Sequence, residues 1–175
     1  MRLFIRNKWL TLRGSSYVRD EHEQDILKVQ GKFFTFTRKK FVKDLQGNVL
    51  YIVRNKFWYL FHRQAFVFEP DGKTELAHLS KKIFTLHDHY NITTRDHGEV
   101  VVRGNILGYD YHIFESGKEI GHVSRMISLR DSFVLDIEEG ADWKFYCAIV
   151  IAIDNIVDKQ RSDASSSYSY SSNNN

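Results

Sequence analysis

The sequence predicts a mainly β protein: a closed antiparallel barrel of about ten to twelve strands, built from repeated hairpins around a buried C-terminal α-helix. Three observations predict it. "AHLSKKIFTLHDHYNI" (77–92) and "GHVSRMISLRDSFVL" (121–135) align with one deletion, so one motif occurs twice. An aromatic anchor recurs at Tyr17, Phe41, Phe66, Tyr90, Tyr111 and Phe133, with spacings of 24, 25, 24, 21 and 22 residues. Near the C-terminus, every residue from Phe145 to Ile153 is apolar.

The units follow in order along the chain. Turn signals succeed most anchors: "LQGN" at Gly47, "PDGK" at Gly72, "RDHG" at Gly98 and "ESGK" at Gly117. The first unit has "DEHEQD" instead, polar but without glycine. Glycine beside Asp or Asn tolerates the positive φ of tight hairpin turns. Either side of these turns, β-branched and aromatic residues alternate with polar ones, as in "FVKDLQGNVLYIVRNK" and "YHIFESGKEIGHVSR". That is strand patterning. Each unit therefore reads as a hairpin plus a short following strand, repeated.

The last segment of the body has a different period. Asp142 suits a helix N-cap and Lys159 a last turn, which places a helix at about 141–157. A helix apolar on all faces sits in a large core or in a membrane. The uninterrupted run of 9 residues is short of the roughly 20 that span a bilayer. A core helix filling a wide barrel follows. Residues 1–159 form one domain, and the Ser/Asn-rich tail 160–175 reads as disordered.

Composition sets the class. With 42% apolar residues, including 13 Phe, 9 Tyr and 3 Trp, the 175-residue chain has ample material for one packed core. The lone Cys147 forms no internal disulfide, and "MRLFIRNKWLTLRGSS" lacks a signal-peptide apolar run, so a cytoplasmic protein is expected. The net charge is +3, unevenly distributed: residues 1–70 hold 14 Lys/Arg and 6 Asp/Glu, residues 71–175 hold 11 and 16. A basic half steers a protein toward phosphate groups if the charges cluster in space, and is otherwise a solvated surface.

The hairpin repeats, the "FTLHDHYNI" stretch and the terminal "AIVIAIDNIV" resemble the LURP-one-related family of bacterial and plant proteins over about residues 1–159. The resemblance implies a twelve-stranded barrel around a central C-terminal helix, a fold shared with the tubby C-terminal domain and related to phospholipid scramblases. Tubby domains bind phosphoinositides and scramblases act on lipids, so the resemblance implies a lipid-related role without a catalytic signature. No acidic calcium segment or acylation cysteine cluster of the scramblase type is present.

The candidate chemistry is sparse. His87 and His89 of "HDH" share a strand face, but two imidazoles are an incomplete zinc ligand set, and Asp88 aligns with Asp131 as a turn residue. His78 and His122 recur because the unit recurs. Cys147 lies mid-helix, where a thiol is inert. No P-loop, G-x-S-x-G or G-x-G-x-x-G occurs. No enzyme, cofactor or metal is expected. The candidate phosphate or headgroup ligands are Arg38, Lys39, Lys40, Lys43, Arg54, Lys56, Lys81 and Lys82; the alternative is a set of strand cations that discourages edge aggregation. The expected partners are an anionic phospholipid surface or a protein at the membrane, with no transmembrane span. A lipid-modifying or metal-dependent enzyme and a nucleic-acid-binding module are the alternatives.

Overall fold

The first strand pairs with the last. In the computed structural model the strands are β1 (Arg2–Arg6), β2 (Ser15–Arg19), β3 (Asp25–Gly31), β4 (Lys40–Lys43), β5 (Val49–Lys56) and β6 (Gln64–Phe68). The second half continues with β7 (Glu75–Lys81), β8 (His89–Thr94), β9 (Val100–Asn105), β10 (Asp110–Glu115), β11 (Lys118–Arg125) and β12 (Ser132–Ile137). Each pairs antiparallel with its sequence neighbour, and β1 pairs with β12 from Arg2↔Asp136 to Arg6↔Ser132, which closes a twelve-strand barrel. The structure describes residues 1–6, 15–31, 39–56, 64–81, 89–126 and 132–171, with Arg6, Lys56, Lys81 and 159–171 described as backbone only.

Turn chemistry sets the hairpins. Between β10 and β11, Ser116 (φ 50) and Gly117 (φ 83) both take positive φ, the geometry of a two-residue type I′ turn. Gly104 answers a different need: at φ +136, a Cβ there would stand 2.6 Å from the Asp110 carbonyl oxygen and 2.7 Å from the Tyr111 Cα. Only glycine lets β9 and β10 approach so closely.

Helix α1 (Trp143–Ser171) begins where Asp142 caps it, with the Phe145 N–H donating to Asp142 Oδ1 at 3.1 Å. Every residue from Phe145 to Val157 is buried. They share one core with inward side chains of the wall, among them Leu3, Val18, Leu27, Val53, Leu79 and Leu135. The all-apolar run is thus buried on every face, as the sequence pattern predicts, with its backbone nearest β5, β6 and β7.

Two features differ from the sequence expectation. The repeat is two strands, an even-numbered strand, its turn and the next odd-numbered strand, rather than a hairpin plus a third strand; β12 ends the series and leads into the helix. The helix runs to Ser171 rather than ending near 157, since the Ser-rich stretch after Lys159 contains no Gly or Pro to stop it. Residues 172–175 lie outside those described.

Candidate functional site

The topology sorts charge along the barrel axis. Short connections 20–24, 44–48, 69–74, 95–99, 116–117 and 138–142 all fall at one end, the turn end. They carry eleven Asp/Glu against two Lys/Arg. At the opposite end the twelve strand-terminal residues include Arg6, Lys40, Lys56, Lys81 and Arg125, against one acid, Asp110. At the turn end the strand-terminal residues are nearly balanced, with four bases and three acids. Because α1 starts at the turn end, its positive dipole end faces the acidic turns and its axis runs toward the basic end.

The sequence-predicted cations divide between these regions. Lys40, Lys56 and Lys81 terminate strands at the basic end, and Lys39 precedes Lys40 there. Arg38 and Lys82 lie outside the described residues. Lys43 ends β4 at the other end, beside the turn. Arg54 lies within β5, its guanidinium 4.9 Å from the Phe68 ring centroid. Gly72 makes room for it, since a Cβ there would stand 2.7 Å from Arg54 Nη2. Lys39 Nζ is 4.7 Å and Lys43 Nζ 5.9 Å from the Phe41 ring centroid, so both cations lean over one outward-facing ring.

Lys40 parts from this group. Its ammonium turns inward to Asp154 Oδ2 on the helix at 3.0 Å, with side-chain exposures of 14% and 3%. The Tyr109 hydroxyl donates to the other oxygen of Asp154 at 2.7 Å. Beside this cluster, the fully buried Tyr111 phenol has no hydrogen-bond partner among the described residues, and burial followed by the charge of Asp154 pushes its pKa well up.

Sequence reading missed Lys28, which stands directly across from Lys43 on the outer wall. No single-sequence signal gives a cross-strand register between these two positions. Among the described residues, no carboxylate lies within ion-pair distance of Lys28, Lys43 or Arg54.

The described histidines contact neighbouring rings and polar side chains. His78 stacks on Phe66 at 4.5 Å; His122 stacks on His112 at 4.4 Å, with its Nε2 3.0 Å from Asp110 Oδ1. His87 and Asp88 lie outside the described residues, and His89 Nε2 is 2.7 Å from Asn91 Oδ1. Among the described residues, no three His, Cys, Asp or Glu side chains are grouped to hold a metal ion. Burial pushes the Cys147 thiol up to about 12, far from a reactive thiolate. No helix among the described residues is long and apolar enough to cross a membrane.

A closed twelve-strand barrel enclosing a C-terminal helix is the architecture on which these charges are displayed. The chain belongs to the LURP-one-related family, whose profile matches residues 1–154. The fold is similar to the X-ray structure of a protein from Arabidopsis thaliana, with a TM-score of 0.62 at 15% sequence identity, covering 89% of this chain and 90% of that one. No curated protein matches the chain.

Proposed function

We propose that the protein binds the phosphate headgroups of anionic phospholipids at a membrane surface, using the basic end of the barrel. The observation that supports this reading is the axial separation of charge: four Lys/Arg besides the inward-paired Lys40, and one acid, among the strand-terminal residues at one end, eleven acids and two bases in the turns at the other. An anionic surface attracts the first end and repels the second. Lys39 extends the basic region onto the outer wall over the half-buried ring of Phe41, whereas the Arg54 guanidinium lies toward the turn end, against Phe68 and Gly72.

Flotation with vesicles tests the reading. The protein should float with phosphatidylserine–phosphatidylcholine vesicles and not with phosphatidylcholine alone. Each Lys or Arg near such a surface contributes up to about 1 kcal/mol. Reversing Lys39, Lys56, Lys81 and Arg125 to Glu should therefore abolish flotation while the circular dichroism stays native. Binding should also fade as salt shortens the Debye length from about 10 Å at 0.1 M to about 3 Å at 1 M. Equal binding to neutral vesicles, or full binding by the quadruple variant, would overturn it. Lys40 is left unchanged because its charge belongs to Asp154.

A further inference from the structure

We infer a second, discrete anion site on the outer wall, at Lys28 of β3 and Lys43 of β4, which takes a soluble phosphoryl anion. The two lysines are registered directly opposite one another. Leu27, Val29 and Val42 beside them point into the core, so strand alternation turns both lysines outward. Like charges directly opposed across antiparallel strands destabilise the sheet. Among the described residues no carboxylate relieves them.

The two carboxylates nearest in sequence are engaged elsewhere. Asp25 holds Arg19 at 2.6 Å, and Asp44 accepts from the Asn48 N–H and from Asn48 Nδ2, both at 2.7 Å. A phosphoryl dianion between the ammonium groups supplies the missing negative charge through charge-assisted hydrogen bonds. Tyr17 continues the same cross-strand row on the other side of Lys28 and is 39% exposed, which places a phenol beside the pair. Phe41 lies under the Lys43 ammonium on the adjacent row.

The position argues for a soluble ligand. Lys43 is the last residue of β4, at the end that carries the acidic turns, which an anionic bilayer avoids. The Asp44 and Asp71 carboxyls of those turns are held below the usual range, the first chiefly by Asn48 and the second by the Lys73 and Thr74 amides, so that end remains anionic in mild acid. The site therefore does not depend on the headgroup reading.

Thermal denaturation tests it with a sign that a bystander pair would not give. Inorganic phosphate and pyrophosphate should raise the wild-type Tm above that in chloride of equal ionic strength. Lys28→Glu replaces repulsion with an attractive cross-strand pair, so the ligand-free variant should melt about 2 °C higher. Its response to phosphate should be lost. Lys43→Gln should also lose the response, and it carries the test should Lys28→Glu not fold. Absence of a phosphate shift in the wild type, or an undiminished shift in either variant, overturns the site. Lys28→Glu should float with anionic vesicles as well as the wild type does; losing flotation together with the phosphate response would overturn the assignment to a soluble ligand.

Discussion

Lys40 Nζ and Asp154 Oδ2 meet at 3.0 Å across 114 residues of chain, joining the start of β4 to the buried helix. The Tyr109 hydroxyl completes the cluster from the β9–β10 connection. A charge pair this enclosed is weak evidence of stabilisation, because both ions lose their water. Its geometric effect is clearer: it gives one depth of the helix in the barrel a specific polar partner.

Removing either charge alone should be costly. Lys40→Met leaves a carboxylate that is 3% exposed without its cation, and should destabilise by about 3–5 kcal/mol. Lys40→Met combined with Asp154→Leu should recover most of that loss. Urea denaturation of the two single variants and the double variant measures the coupling. Additive losses in the double variant would show that the two residues do not act as a pair.

Ile149 tests the packing around the helix. It is fully buried at the centre of the apolar run. Ile149→Asp places a charge with no partner in the core and removes buried apolar area, together worth several kcal/mol. The variant should not fold cooperatively. A soluble Ile149→Asp protein with a sharp melting transition would mean that the helix does not fill the barrel.

Asp71 sets a pH dependence. Its carboxylate accepts from the Lys73 and Thr74 amides and the Thr74 hydroxyl, at 2.8, 3.0 and 2.8 Å, which lowers its pKa. A folded-state pKa below the unfolded value gives stability that is present above about pH 4 and lost as pH falls through the folded value. Asp71→Asn should therefore melt below the wild type at neutral pH, and the gap should narrow in acid. A gap that stays constant with pH would assign the effect to shape rather than charge.

The hairpins were legible because turn glycines and alternating residues are local signals. The closed barrel followed from the strand number and the wholly apolar helix. Facing was not legible. The anchors Tyr17, Phe41 and Phe66 lie on the outer wall, whereas Tyr90, Tyr111 and Phe133 are buried, although all six open their units in the same way. A period of two shows which residues share a face but not which face is inside. The same ambiguity hid the inward turn of Lys40, which shares its face with the buried Val42. The Lys28–Lys43 pair was invisible for another reason: it joins β3 and β4 of successive units, and the sequence between those strands carries no tight-turn signal that would fix their register.

The helix within the barrel also constrains how the chain is made. Leu3 of the first strand pairs with Leu135 of the last, and the core that both face is filled by residues that follow them. A nascent chain emerging from the ribosome therefore holds twelve strands whose inner faces have nothing to enclose until the helix that follows them is made. The apolar inner faces stay in water until that helix emerges, an interval in which shielding by the exit tunnel or a holding chaperone would limit aggregation.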